Sequence, residues 1–262
     1  MNHNPITWRL TMLARVAAVV VMFGPLHAPG ASYRTPNFVI ETESAQLAEE
    51  FGKTAETLRH DLAVSWLGQP IDQWSQPCPI TVRVGPYANT NSTTFVFNDG
   101  EVFGWHSTCQ GPQERIIDSV LPHEINHMVL ASHFRRAVPR WADEGMATSV
   151  EHPSEWVNWY SWLDTALRTG RGLAFNRMFA MTEVDNTNFM PIYAQGLTLT
   201  EFLIQQGGRH KFVKYIGDGL DGNQWATATK THYGYQDLGE LQNAWVAWVG
   251  KGRPPAQTVG YG

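Results

Sequence analysis

The chain has 262 residues, of which 43% are hydrophobic and 16% are charged. This composition is typical of a folded globular protein and excludes a largely disordered one. The formal net charge is only −5 and no long basic run occurs, so the sequence gives no support for nucleic-acid binding. The length is sufficient for one large domain or for a catalytic domain divided into two lobes around a cleft.

The first 31 residues differ in character from the rest of the chain. Arg9 and Arg15 lie before and within a short apolar stretch, Ala14–Phe23, and small residues follow at 28–31. This pattern predicts a signal peptide over residues 1–31 and a secreted or periplasmic protein. The apolar stretch is ten residues long, whereas a membrane-spanning helix needs roughly 20. We therefore expect no stable membrane span after cleavage, and anchoring by an uncleaved leader is the alternative.

The chain contains two cysteines, Cys78 and Cys109, both in the part predicted to be exported. A single disulfide bond is the expectation for two cysteines in an oxidising compartment. The alternative is a pair of free, buried thiols, which behave as small hydrophobic groups.

Short strands and one long helix are predicted in the first half of the chain. Residues 37–42 alternate in polarity like a strand, and apolar residues recur at helical spacing from Ser44 to Trp66, with Ser44 as the N-cap. Further strands are predicted at 79–84, 93–97, 101–109 and 113–117, with a hairpin turn at 98–100 and a helix from about 118 to 132.

Helical periodicity dominates from Pro139 onward. Later helices are predicted at 154–168, 192–206, 208–216 and 237–249, and residues 252–262 are predicted to form a flexible tail. The expected fold over residues 32–251 is α+β. A small N-terminal mixed sheet with helices, about 32–132, is followed by a helical C-terminal lobe, about 133–251, with the functional site in the cleft.

Within the helix predicted at 118–132 the sequence reads His123-Glu124-Ile125-Asn126-His127. Residues four apart lie on the same face of a helix, so His123 and His127 can point two imidazoles at one metal ion. Glu124 then lies beside the metal rather than on it. Zinc accepts neutral imidazole nitrogens and carboxylate oxygens, and a catalytic zinc site has three protein ligands with one position left for water.

A second motif, Pro139-Arg140-Trp141-Ala142-Asp143-Glu144-Gly145-Met146-Ala147, lies downstream. Glu144 is the predicted third ligand. A His-Glu-x-x-His match alone occurs by chance in unrelated helices, but the second motif adds a ligand together with small residues that allow close helix packing. The two motifs together predict one zinc ion bound by His123, His127 and Glu144.

The paired motifs resemble those of the gluzincin metallopeptidases, and within them the peptidase-MA-like group of small exported or membrane-associated bacterial proteins. The resemblance is specific at Leu121–His127 and Pro139–Ala147, and looser at Tyr193–Phe212 and at Asp237–Trp248. It implies a thermolysin-like catalytic domain that cleaves peptide or protein substrates.

The resemblance also implies individual residue roles. Zinc is bound by the three predicted ligands, and Glu124 is the catalytic carboxylate that acts as general base. Tyr193, at the start of a helix in the second half, resembles a tyrosine found in related enzymes and is the candidate donor to the developing oxyanion. The sequence lacks the Gly-x-Met-Glu-Asn signature of aminopeptidases, which favours an endopeptidase.

Two departures from the family pattern concern the surroundings of the ligands. Sixteen residues separate His127 from Glu144, a few fewer than in thermolysin-like relatives, and position 148 is Thr where those enzymes place an Asp that orients a ligand histidine. Asp143 is interpreted either as a solvated or helix-N-terminal charge or as a group that holds a ligand histidine.

Other aromatic residues and histidines have simpler interpretations. His133, His152 and His232 are expected to be surface or hydrogen-bonded groups, as is His106, although His106 could also lie on an edge strand where a peptide substrate adds. The tryptophans of the helix at 154–168 are expected to pack within the helical lobe, with some bordering the cleft.

Three functions are compatible with these patterns. The favoured one is an exported zinc metallopeptidase. The alternatives are a catalytically inactive scaffold that keeps its zinc for stability, and a binding protein that uses an aromatic cleft and carries the metal motifs by chance.

Overall fold

A computed structural model describes residues 30–88, 90–185 and 187–255, together with the backbone of residues 7–9. Most of the predicted signal peptide, and residues 256–262 of the predicted tail, lie outside these described residues. Within the described residues, no helix is both long enough and apolar enough to cross a membrane.

Six strands and ten α-helices are present in the described residues. The strands are β1 (Thr7–Arg9), β2 (Ala31–Arg34), β3 (Phe38–Thr42), β4 (Cys78–Val84), β5 (Thr90–Asn98) and β6 (Glu101–Gly111). The helices are α1 (Ala45–Leu67), α2 (Gln113–Arg115), α3 (Leu121–Phe134), α4 (Arg140–Thr148), α5 (Pro153–Arg168), α6 (Phe175–Met178), α7 (Phe189–Gln205), α8 (Gly208–Leu220), α9 (Trp225–Tyr233) and α10 (Leu238–Gly250).

The described residues divide into two compact units. One unit contains the chain up to Ala63 together with Pro70–Arg136, and the other contains Val64–Gln69 together with the chain from Ala137 onward. The first unit holds the whole sheet, and the second is helical. These observations confirm an α+β chain with a mixed N-terminal sheet and a helical C-terminal part.

The strands form one mixed sheet in the order β1-β5-β6-β4-β3-β2. β4 runs parallel to both β3 and β6, whereas the other pairs are antiparallel. Asp99 and Gly100 form the turn between β5 and β6 with positive φ angles of 49° and 78°. This is the hairpin that the sequence predicts, and its Asp-Gly pair is favoured there because both positions tolerate left-handed backbone.

Polar contacts link α1 to the start of β3 and α3 to a loop of the first unit. Asn37, just before β3, donates through its backbone and side chain to Glu56 of α1 at 2.7 and 2.8 Å. At the other end of the strand, Ser44 accepts from the backbone of Leu47 at 3.2 Å and is the predicted N-cap of α1. The indole nitrogen of Trp74 donates to Ser132 of α3 at 2.9 Å, which ties a loop to the last turns of that helix.

Residues 113–117, predicted as a strand, are helical, so that prediction was wrong. α2 begins directly after Pro112, and a π-helical turn, Ile116–Val120, leads without a break into α3. Ile116 and Ile117 favour strands by their branching, but a proline immediately before the first helical residue and Glu114 in the first turn both favour helix.

The core of the second unit is aromatic. Trp141 of α4 lies 4.4 Å from Phe179 between ring centroids, and Phe175 of α6 lies 5.1 Å from Trp245 of α10. Both tryptophans are fully buried. The short helix α6, which the sequence analysis did not predict, thus contributes Phe175 to the core.

Candidate metal centre

The helix that carries the first motif is almost wholly buried. Every residue of α3 from Leu121 to Ala131 is buried. Pro122 lies in the first turn of α3, directly after the π-helical turn, and Arg135 ends the helix in the left-handed conformation with φ of 53°. A helix with no solvated face is a core element, so its polar residues need polar partners.

His123 and His127 lie one turn apart on α3, as the spacing predicts. Their ring centroids are 4.8 Å apart with an interplanar angle of 75°. Each side chain is 2% exposed. Two imidazoles on the same face of a buried helix can supply two nitrogen ligands to one ion.

Glu124 is also 2% exposed, and its carboxylate has a partner on the sheet. The side-chain amide of Asn91 on β5 donates to Oε1 of Glu124 at 2.5 Å. The pKa values of the Cys78 and Cys109 thiols are raised. Burial is the main cause, and the nearby charge of Glu124 is the second.

The prediction of a disulfide bond was wrong, because Cys78 and Cys109 are free, buried thiols. The strand register explains why. β4 and β6 are parallel, and Cys109 pairs with Val82, four residues along β4 from Cys78. Four residues of strand extend about 13 Å, whereas a disulfide needs Cα atoms within roughly 7 Å.

The helix of the second motif, α4, buries all nine of its residues. Glu144 is fully buried, and it accepts a hydrogen bond through Oε1 from Arg140, one turn earlier. Arg140 also donates to Asp143 at 2.7 Å. Asp143 is therefore neither solvated nor simply a charge at the helix N-terminus; it shares a buried cation with Glu144.

His123, His127 and Glu144 form a group in which one potential ligand atom of each lies within 4.8 Å of the others. Ligand atoms held at about 2.1 Å from a tetrahedral zinc ion are roughly 3.4 Å apart. The group fits zinc after a small side-chain adjustment. A carboxylate has two oxygens, so Glu144 can accept from Arg140 and still bind a metal.

Tyr193 lies on α7 and is 4% exposed. Its ring stacks on Trp159 of α5, with centroids 5.3 Å apart and an interplanar angle of 24°, and contacts Phe189 at 4.5 Å. Trp159 is half-buried, and Trp156 donates to the backbone oxygen of Thr148 at 2.8 Å. The proposed donor role of Tyr193 stays a prediction.

His106 is exposed on β6, where it pairs with Thr94 of β5. The pairing of β6 with β4 begins at the next residue, Ser107. Among the described residues, one side of β6 therefore has no partner strand at His106, and the addition of a peptide substrate there stays a prediction.

Residues 114–251, just over half of the chain, match the family described as the peptidase MA superfamily. The chain belongs to the peptidase MA superfamily. The match includes both motifs and the helices that follow them, and it confirms the family resemblance inferred from the sequence. No curated protein matches this peptidase MA chain.

Three solved structures are similar to the chain at low sequence identity. An M1 zinc metallopeptidase from Deinococcus radiodurans is 18% identical with a TM-score of 0.47, over 83% of this chain and 49% of that one. A two-domain M1 zinc metallopeptidase mutant bound to L-arginine is 16% identical with a TM-score of 0.45, over 79% of this chain and 47% of that one. The peptidase MA chain thus spans about half the length of these proteins.

Two residues of the peptidase MA site were missed by the sequence analysis. Arg140 lies four residues before Glu144, a helical spacing at which opposite charges meet, so the sequence does contain a signal for it. Asn91 carries no such signal. It is 33 residues from Glu124 in the chain, and only the packing of α3 on β5 brings the two together.

Proposed function

We propose that this chain is an exported zinc metallopeptidase that hydrolyses peptide bonds in peptide or protein substrates, with a thermolysin-like catalytic domain. The observation that carries the proposal is the buried group of His123, His127 and Glu144, with Glu124 next to the first ligand on the same helix. Membership of the peptidase MA superfamily supports the reaction class.

In this proposal His123, His127 and Glu144 hold one zinc ion, leaving a coordination position for water or substrate. When bound, zinc polarises a substrate carbonyl and lowers the pKa of water towards about 7. Glu124 takes a proton from the attacking water and passes it to the leaving amine, so the same carboxylate acts first as base and then as acid.

Tyr193 is the proposed hydrogen-bond donor to the oxyanion that forms on the substrate. Its ring packs against both Trp159 and Phe189, which also contact each other, and such packing restricts the movement of the side chain. A donor with few rotamers needs little reorganisation when charge develops, which is what makes such donors effective.

The finer assignments rest on the sequence. The leader at residues 1–31 supports export to the periplasm or the cell exterior, with anchoring by an uncleaved leader as the alternative. The missing aminopeptidase signature supports endopeptidase cleavage.

Elemental analysis of the purified protein beside Glu144→Ala, with cleavage of an unfolded protein substrate measured on both, tests the proposal. We expect one zinc per chain and proteolysis in the wild type, and loss of both in the variant. Glu183→Ala, which removes an exposed carboxylate, should keep both and serves as the control.

Two other outcomes would replace the proposal. Zinc without proteolysis would identify an inactive zinc scaffold. A wild-type protein without zinc would leave a binding function for the half-buried aromatic residues of α5. The hydrogen bond to Glu124 favours the peptidase, because a purely structural zinc site has no use for that carboxylate.

A further inference from the structure

The carboxylate of Glu124 is buried, yet a glutamate side chain has several rotatable bonds and many possible orientations. A proton-transfer group must be aimed at the reacting atom within hydrogen-bonding distance. Something in the surrounding structure therefore has to select one orientation.

The strand beneath α3 supplies such a group. Asn91 on β5 lies directly opposite Cys109 on β6, so the two side chains project from the same face of the sheet. Two residues further on, the buried pair Thr93 and Ser107 shares that face, linked by a hydrogen bond of 3.0 Å. Helix α3 packs on both strands.

The hydrogen bond between Asn91 and Glu124 is short and directed. The amide nitrogen of Asn91 lies 2.5 Å from Oε1 of Glu124. Hydrogen bonds to an ionised acceptor are stronger than neutral ones. Asn91 is only half-buried and sits near the start of β5, whose backbone is fixed by pairing with β6. The donor is thus mounted on a rigid element.

We propose that Asn91 is a positioning residue that orients the Glu124 carboxylate for proton transfer. Oε1 accepts the amide hydrogen of Asn91, and the second oxygen of the same carboxylate is the one that exchanges a proton with water and the leaving amine. The inference rests on the proposed function, since it assigns Asn91 a part in the same reaction.

The test compares Asn91→Ala and Asn91→Asp with the wild-type zinc protein. Both variants remove the amide donor. The second keeps the size of the side chain and places a second carboxyl group against Glu124, so that the two acids cannot both ionise. Ser92→Ala is the matched control, because Ser92 is the next residue of β5, points to the other face and bonds to Thr108 at 2.8 Å. Zinc content and thermal midpoint establish that each variant is folded and loaded.

We expect both Asn91 variants to lower kcat by about 10- to 100-fold, the usual effect of removing a partner that orients an active-site group. KM and zinc content should stay at the wild-type values, and Ser92→Ala should match the wild type throughout. A rise in KM with kcat unchanged would overturn the proposal, because it would make Asn91 a substrate contact. Unchanged kcat and KM would overturn it as well.

A crystal structure of each zinc-loaded protein gives a readout that does not depend on activity. The carboxylate of Glu124 should keep one orientation in the wild type and change orientation in Asn91→Ala. An unchanged carboxylate in the variant would overturn the proposal. If the wild type cleaves no substrate but Glu124 still reorients in the variant, the peptidase function fails while the positioning role stands.

Discussion

Gly145 and Gly196 are in direct backbone contact where α4 packs on α7. A Cβ atom added to Gly145 would lie less than 3.0 Å from the carbonyl oxygen of Gly196, and one added to Gly196 would lie less than 3.0 Å from the carbonyl oxygen of Trp141. Because Gly145 directly follows Glu144, this contact fixes the depth at which the proposed third ligand sits in its own unit.

Gly145→Ala should therefore destabilise the protein even though alanine is the better helix former. The methyl group would have to displace backbone rather than a flexible side chain, and we expect a loss of about 1–3 kcal/mol in the free energy of unfolding. Urea denaturation measures it. Gly250→Ala is the control, since a Cβ there meets no other atom within 4 Å. Equal stability of both variants would contradict close packing at Gly145.

Arg140→Leu should destabilise the zinc-free protein by about 3–5 kcal/mol, because it leaves two buried carboxylates without their shared cation. Arg140, Asp143 and Glu144 are all buried, and the arginine bonds to both acids. Lys53→Leu breaks an exposed pair with Glu49 at the same helical spacing, and its thermal midpoint should stay near the wild-type value. An equal loss of stability in Arg140→Leu and Lys53→Leu would show that burial does not strengthen the ion pairs of Arg140.

Glu201→Gln should become more stable than the wild type as the pH rises. Burial is the main cause of the raised pKa of Glu201, opposed by the hydrogen bond from Tyr160 and by the charge of Arg253. The pKa of such a carboxyl is higher in the folded state than the value of about 4.3 in the unfolded state. Its contribution to stability is therefore complete below about pH 4.3 and is lost as the pH rises through the folded-state pKa. Glutamine does not titrate.

Urea unfolding from pH 3.5 to 8 checks this prediction. The difference in unfolding free energy between Glu201→Gln and the wild type should increase from about pH 4.3 upward and then level off. The exposed Glu183→Gln variant is the control. If this difference in unfolding free energy increased towards acid pH instead, the raised pKa of Glu201 would be contradicted.

Both cysteines should be unreactive thiols in the folded protein. Burial raises the pKa of Cys78 and Cys109, so little reactive thiolate forms near neutral pH. An aromatic disulfide reagent should detect no thiol before unfolding and two per chain after unfolding in urea without reductant. No thiol in the unfolded, unreduced protein would establish a disulfide and contradict the strand register.

Tyr193→Phe should keep zinc and reduce kcat by about 100-fold, as expected when one donor to an oxyanion is lost. Trp159→Ala keeps the hydroxyl group but removes the stacked ring, so we expect a smaller loss of kcat. Steady-state kinetics and zinc analysis on both variants measure these effects. An unchanged kcat in Tyr193→Phe would show that the Tyr193 hydroxyl takes no part in the reaction.

Much of this molecule is predictable from local sequence. The periodicity from Ser44 to Trp66 predicts α1 to within one residue at each end, and Asp99-Gly100 predicts the turn of the β5-β6 hairpin. His123 and His127 share a helix face because of their spacing alone. These features are predictable because each depends only on residues a few positions apart in the sequence.

At Ile116 and Ile117 two local signals conflict: branching favours a strand, whereas Pro112 and Glu114 favour the helix that continues into α3.

Features that depend on distant residues were decided by tertiary structure. The compartment argument favoured a disulfide, but the parallel register of β4 and β6 offsets Cys78 from Cys109.

The candidate site divides in the same way. The sequence by itself determined the two motifs, their helical spacing and the family, and it predicted the candidate ligands, because these are properties of two short segments. Only the folded chain decided that Asn91 reaches Glu124 and that Gly145 meets Gly196. The physical reason is that these contacts join residues 33 and 51 positions apart, and strand order and helix packing, rather than local preference, determine which distant side chains meet.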